Sequence, residues 1–366
     1  MAWSEEERCL LWLSAAEVSA DRAYRLMERY GGAQGIWEAF GTDQGPAFRE
    51  KTLAALARLH SRDALEDLIA RLEQKHVRAL FRGDENYPEL LDAIDDPPYL
   101  LYYVGGLQSL RRPMVAIVGT RNPSRYGREM ASLLVQGLAE VGVGVVSGLA
   151  RGIDSCAHEG ALKAQGVTVA VLGSGLNVCY PPEKAPLLRA IVAGGGLALS
   201  EYPLDAEPAV YHFPHRNRVI SGLSHGLVFV EGKVPSGGMI TVDLALRQGR
   251  EVFAVPGQVG TAGAQGPHAI LREGAKLATC AQDILEELSL DLERFRPVSK
   301  EENPASSLEE AVLSALQKEA LGLEALCAAT GTSADEMMGR LSMMEVTGQV
   351  SRDAGNLFRL SLWNSL

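Results

Sequence analysis

Five short segments of this 366-residue chain combine small residues with side chains suited to a phosphate or a base. The first, Gly119-Thr120-Arg121-Asn122-Pro123-Ser124-Arg125-Tyr126-Gly127, takes an apolar run through a glycine turn into a helical pattern. The free N–H groups and dipole of such a helix start attract anions, so a phosphate is expected there. Around it Arg111, Arg112, Arg121, Arg125 and Arg128 stand in a stretch with no acid before Glu129. That island matters because Lys and Arg total 35 against 46 Asp and Glu, a net charge of -11. The overall field repels a polyanion, so any nucleic-acid contact must be local.

The other four segments also follow apolar runs. Ser147-Gly148-Leu149-Ala150-Arg151-Gly152-Ile153-Asp154 places glycines, a hydroxyl and an arginine before a helical pattern for which Asp154 is the expected cap; its spacing to His158 also fits a catalytic pair. Gly173-Ser174-Gly175-Leu176-Asn177 precedes Tyr180-Pro181-Pro182 and Lys184, which either meets a phosphate or faces solvent. His212-Phe213-Pro214-His215-Arg216-Asn217-Arg218 mixes aromatic and cationic groups of the kind that hold single strands, although Phe213 fits the core equally. Glu231-Gly232-Lys233 leads to Ser236-Gly237-Gly238-Met239-Ile240-Thr241, a glycine-rich helix start; here Glu231 is expected either to pair with an arginine or to serve a nucleotide-cleaving site.

Catalytic signatures are missing. The first turn is not Gly-x-Gly-x-x-Gly, and no Gly-x-Ser-x-Gly elbow, His-Glu-x-x-His or Gly-Lys-Ser/Thr loop occurs. The five cysteines, at 9, 156, 179, 280 and 327, form neither a Cys-x-x-Cys pair nor a disulfide framework. Binding is therefore expected, with no cofactor, no metal and no turnover; the rival reading is a nucleotide-processing or nucleotide-sensing Rossmann-like enzyme. The opening Met-Ala-Trp-Ser and three glutamates lack the plan of a signal peptide, and no apolar run reaches a membrane span, so a cytoplasmic protein away from membranes is expected.

The elements that position these segments are legible in outline. Residues 1–75 carry apolar positions such as Leu10, Leu11, Leu13, Ala23, Leu26, Met27 and Tyr30 at helical spacing, stopped by Gly31-Gly32, and predict an N-terminal all-helical domain. From Val115 to Leu277, short apolar runs alternate with amphipathic stretches. Strands are expected at Val115–Val118, Val143–Ser147, Thr168–Leu172, Leu197–Ser200, Leu227–Glu231 and Glu251–Val255, with helices at Gly127–Glu140 and Asp154–Gln165. Runs this continuously apolar need both faces covered, which makes an α/β, Rossmann-like, doubly wound, mostly parallel sheet across residues 76–290. A polar linker at 291–306 and a C-terminal winged helix at 307–366 complete the plan, the latter read from three helical patterns and a hairpin around Asp353-Ala354-Gly355-Asn356.

Taken in order, these blocks resemble the DprA (DNA-processing protein A, or Smf) family. The resemblance runs through Gly119-Thr120-Arg121, Ser147 to Asp154 with His158 to Leu162, Gly173 to Leu176 with Tyr180-Pro181, and Phe213 to Arg218. It continues in Ile220 to Ser224, Glu231, Ser236-Gly237, Thr241 and Gly249 to Gly257, with Tyr87-Pro88 and Asp96-Pro97-Pro98 upstream, and covers about half the chain. It implies a protein that binds and protects incoming single-stranded DNA in natural transformation, helps load the recombinase RecA, and dimerises through its Rossmann domain. It also implies a DNA pocket at Gly119-Thr120-Arg121 with Arg151, Lys184, Arg216 and Arg218; Ser147, Gly148, Gly173, Phe213, Asn217, Ser236 and Gly237 complete the candidate contacts. The N-terminal helices look like a helix-hairpin-helix or sterile-alpha-motif-like domain. A duplex-reading regulator is disfavoured, because Ser333 to Arg340, the expected recognition helix, carries two acids and one arginine.

Overall fold

The computed structural model describes residues 3–42, 45–290, 292, 304–316, 320–346, 350–353 and 355–360. Two compact units divide the chain, Met1–Arg296 and Pro297–Leu366. The expected linker at 291–306 lies largely outside the described residues.

The first unit begins with helices α1 (Glu5–Ala15), α2 (Ala20–Tyr30), α3 (Ala33–Ala39), α4 (Glu50–Leu59) and α5 (Arg62–Gln74). Ser4 and Glu7 form a capping box at the start of α1, and Gly31, left-handed at φ 77°, ends α2 as its position in the sequence requires. These helices close over Trp12, fully buried, whose Nε1 donates to the Leu56 carbonyl at 3.0 Å. Their core continues into the sheet through Phe81, Tyr99, Leu100, Tyr102 and Leu204.

Next come β1 (Arg78–Phe81), α6 (Glu89–Asp92), β2 (Leu100–Gly105), β3 (Met114–Val118), α7 (Arg125–Glu140), β4 (Gly144–Ser147), α8 (Ile153–Lys163), β5 (Thr168–Leu172), α9 (Ala185–Ala193) and β6 (Leu197–Ser200). The unit closes with α10 (His212–Gly222), β7 (Gly226–Phe229), α11 (Gly237–Arg247), β8 (Glu251–Ala254), α12 (Gln265–Arg272), β9 (Lys276–Leu277) and α13 (Ala281–Leu288). Among the described residues these make one nine-stranded sheet in the order β1-β2-β6-β5-β4-β3-β7-β8-β9. It is parallel from β6 to β9, with β2 and β1 antiparallel at the edge. All six expected strands are present; β1, β2 and β9 were not read from the sequence.

Both faces are covered, as continuous apolar strands demand. Val115 and Ile117 of β3 pack with α7 and α8 residues such as Leu134 and Ala157, while Met114, Ala116 and Val118 pack with Val219 of α10 and Val242 of α11. The chain winds outward from β3 to β6, then returns to lay β7 on the other side of β3. The loops after β3 and β7 thus face each other across a topological switch point, where ligands of such sheets usually bind.

The second unit holds α14 (Pro304–Leu316), α15 (Leu323–Thr330), α16 (Ala334–Val346), β10 (Val350–Arg352) and β11 (Phe358–Leu360). Leu326, Met337, Leu341 and Phe358 centre its own core, and the two strands pair antiparallel: a winged helix. No helix among the described residues is long and apolar enough to cross a membrane.

Candidate nucleic-acid interface

Glu231, just beyond β7, takes the position at the switch point that was expected to hold a phosphate. Its carboxylate accepts from the Ser124 backbone N–H at 2.8 Å and the Ser124 hydroxyl at 2.5 Å, at the very N-cap of α7. An internal anion therefore satisfies this helix start. Gly127 is required for it, because a Cβ there would collide with the Glu231 side chain. The expected pairing of Glu231 with an arginine is corrected accordingly: the backbone and Ser124 lie nearer than any guanidinium. The loops themselves are stitched together, with Thr120 N–H donating to the Glu231 carbonyl at 2.7 Å and Ile153 N–H to the Thr120 carbonyl at 3.1 Å.

The basic island sorts into one free cation and four engaged ones. Arg111 donates to Asn86, Arg112 to the Gly142 carbonyl, Arg128 to the Pro123 carbonyl, and Arg125 pairs with Glu129. Arg121 is exposed and, among the described residues, makes no hydrogen bond or ion pair. Its guanidinium instead stands 5.8 Å from the centroid of the Phe213 ring.

Phe213 is half-buried, and the ring leans on Gly173, where a Cβ would stand 2.9 Å from Cδ1. Tyr180, 43% exposed, lies 5.5 Å from it, ring to ring. Arg121, Phe213 and Tyr180 thus form an open cation and aromatic patch above the ends of β3 and β5. At its margin Arg151, exposed, is shared with Glu183, and Lys184 stands 3.7 Å from Glu159. The sequence reading left Tyr180 out of the site; an aromatic next to two prolines in a glycine-rich loop was the available signal.

Beneath the patch Arg216, Arg218, Ser147, Gly148 and Gly173, all expected contacts, are buried. Arg216 is 5% exposed and donates to the carbonyls of Gly148 (2.9 Å) and Val171; burial pulls its guanidinium down to about 10, opposed by nearby Asp154. Asn217 accepts from Arg216 Nε at 3.2 Å. Arg218 grips Glu201 with two nitrogens, at 2.9 and 2.7 Å, and Asp96 with the third at 3.1 Å. Burial would raise the Asp96 carboxyl, but His215 and Arg218 outweigh it and hold the group below its ordinary range. Ser147 donates to the Ile117 carbonyl, and Gly148 and Gly173 are buried. Ser236 caps α11 without a side-chain bond, next to exposed Gly237.

The Asp154 cap and the Asp154–His158 catalytic pair are also corrected, while a structural His158 fits. Gly152, not Asp154, is the N-cap of α8. Asp154 instead accepts from Gly148 N–H (3.1 Å) and Ala150 N–H (3.4 Å), tying down the loop it follows. His158 is fully buried, and its Nδ1 lies 2.7 Å from Thr168 Oγ1, which itself donates to Val145 O; Nδ1 must therefore carry the proton. Burial, with Arg216 and Lys184 nearby, lowers His158 to about 3, so it is neutral and structural.

Comparison with known proteins matches the DNA recombination-mediator protein A family over residues 78–289 and a DprA winged helix domain over 296–356. Among curated relatives, Protein Smf of Escherichia coli is 38% identical over 306 residues, covering 82% of each chain. DNA processing protein DprA of Streptococcus pneumoniae is 44% identical over 204 residues, 56% of this chain and 72% of that one. An X-ray structure of the Streptococcus pneumoniae protein superposes with a TM-score of 0.67 at 33% identity, covering 78% of this chain and 99% of that one. A Helicobacter pylori DNA processing protein A structure, described for its single-stranded DNA binding mode, gives 0.53 at 32% identity over 58% of this chain and 95% of that one.

Proposed function

Because the chain belongs to the DNA recombination-mediator protein A (DprA) family, we propose that it binds single-stranded DNA at the carboxyl edge of its sheet, with no chemical turnover. The observation that carries the reading is Arg121: a solvent-facing cation with no protein partner among the described residues, set over an aromatic ring beside a second exposed aromatic. A phosphate meets the guanidinium while bases stack on Phe213 and Tyr180, a combination that serves any sequence. Thr120 and Gly119 shape the turn, and Arg151 and Lys184 extend the track at the cost of loosening their own carboxylates. Arg216 and Arg218 act from below, tying α10, which carries Phe213, to Gly148 and to Asp96 and Glu201.

Binding is favoured over nucleotide cleavage because Glu231, the acid an enzyme would need there, is engaged at the start of α7. In this reading the protein works in the cytoplasm on strands entering by natural transformation, protects them, and helps load RecA as a homodimer built through the sheet-bearing unit. Anisotropy of labelled oligothymidine and of a matched duplex, titrated at several salt concentrations, tests the binding step. Tight, salt-sensitive preference for the single strand is expected; no binding at low salt overturns it. Loading is tested by the lag before RecA hydrolyses ATP on a strand coated with single-strand-binding protein, which the full chain should shorten. Light scattering against concentration checks the dimer.

A further inference from the structure

On the same edge, one strand beyond the patch, lies a cavity of about 330 Å³ between the exit of β6, the start of α10 and the turn joining α1 to α2. We infer that this cavity receives one nucleobase bearing an exocyclic amine, drawn from a strand lying on the Arg121 patch. The inference rests on the single-strand reading above and adds a base preference to it.

The walls are aromatic. Tyr202 and His212 stack with ring centroids 3.9 Å apart and planes 24° apart, and Tyr211 meets His212 edge-on at 4.5 Å. Tyr211 is 66% exposed, so its ring is open to a ligand entering the cavity. Cavity and patch adjoin at the start of α10: His212 lines the cavity and its Nδ1 is 3.2 Å from the carbonyl of Gly173, the residue on which Phe213 leans, and Phe213 follows His212 in the chain. A strand crossing Phe213 needs to turn out only one base to reach the cavity. Its size is at the small end of ligand clefts, about 300–1,000 Å³, which suits a single base and excludes a duplex.

The charge of the cavity selects the part of the strand that enters. Glu17 and Glu201 line it, and Asp96 stands behind Glu201, against one buried cation, Arg218. A phosphate is repelled by such a wall, whereas amino groups of cytosine, adenine or guanine find carboxylate acceptors. Glu201 already receives two N–H groups from Arg218 and has His215 Nδ1 3.4 Å away, but a carboxylate offers about four lone-pair sites. Thymine has no amine, only its ring N3–H flanked by two carbonyls that the wall repels, and gains less from it.

Anisotropy with short oligothymidines, unmodified or carrying one central cytosine, tests the inference. The cytosine should tighten binding about three- to tenfold, and dimethylation of its amine should abolish the gain. A single 2-aminopurine in the same place should be quenched on binding. Tyr211→Ala and, separately, Glu17→Gln, both exposed positions, should remove the cytosine preference. If wild-type protein binds all oligomers equally and the 2-aminopurine stays bright, the cavity takes no base, although the strand reading survives. If Phe213→Ala removes the quenching and Tyr211→Ala does not, the base sits on the patch and the inference falls. If no oligomer binds, the strand reading itself fails.

Discussion

Arg121 and Arg218 lie on the same sheet edge and differ in almost every physical respect. The first is exposed, unpaired among the described residues and set against an aromatic ring; the second is 6% exposed and gripped by two carboxylates. A buried ion pair contributes shape, because breaking it strands a charge in a dry interior, while an exposed unpaired cation costs the fold little and retains its attraction for a polyanion. The contrast teaches that one segment, His212 to Arg218, supplies both kinds of group: Phe213 looks outward to the patch, and Arg216 and Arg218 look inward and anchor the helix that carries it.

The sharpest way to break this contrast is Arg218→Ala. Loss of about 3–5 kcal/mol in denaturant unfolding is expected, since Glu201 and Asp96 lose their partner. An unfolding curve unmoved by the change, with weaker strand binding, would transfer Arg218 to the binding surface. Acid probes the buried layer by another route. His158 binds its proton in the unfolded chain near pH 6.5 but in the folded one only near 3, so stability falls as pH drops through that window. A loss of a few kcal/mol is expected, and His158→Gln should flatten the slope; an unchanged slope would show that other groups carry the acid response.

On the exposed side the effects should appear in affinity. Phe213→Ala is expected to cost about tenfold in oligothymidine binding through lost stacking, with little change in stability because the ring is half-buried. Arg121→Ala should weaken binding by a similar or smaller factor for every sequence alike and flatten the salt slope by about one unit. Full affinity in the folded variant would remove Arg121 from the site. Smallest is Glu231→Gln, which keeps the shape of the α7 cap but removes its charge; about 1 kcal/mol of stability should go while strand affinity holds. A drop in affinity as large as that of Arg121→Ala would move the site to the switch point.

Much of this was legible along the chain. The six central strands announce themselves because burial on both faces leaves no polar alternation, and the loops that follow them are marked by glycine. β1 and β2 were not read because their pairing is antiparallel and depends on β6, nearly a hundred residues from β2, which no local periodicity records. Within the site, the residues of Gly119-Thr120-Arg121 and His212 to Arg218 could be named, but not which way each would face. Tyr180 carried a signal only in its neighbours.

What the sequence by itself determined is the class of fold, the family and the set of loops that meet at one edge, all consequences of apolar periodicity and small residues at strand ends. What only the tertiary structure decided is which charged groups are free. Burial and partnering depend on atoms distant in the chain: Asp96 lies 122 residues from Arg218, and Glu231 lies 107 from Ser124. A carboxylate or guanidinium is committed to the fold or available to a ligand according to the neighbours that folding brings within hydrogen-bond reach, and those neighbours are not written beside it.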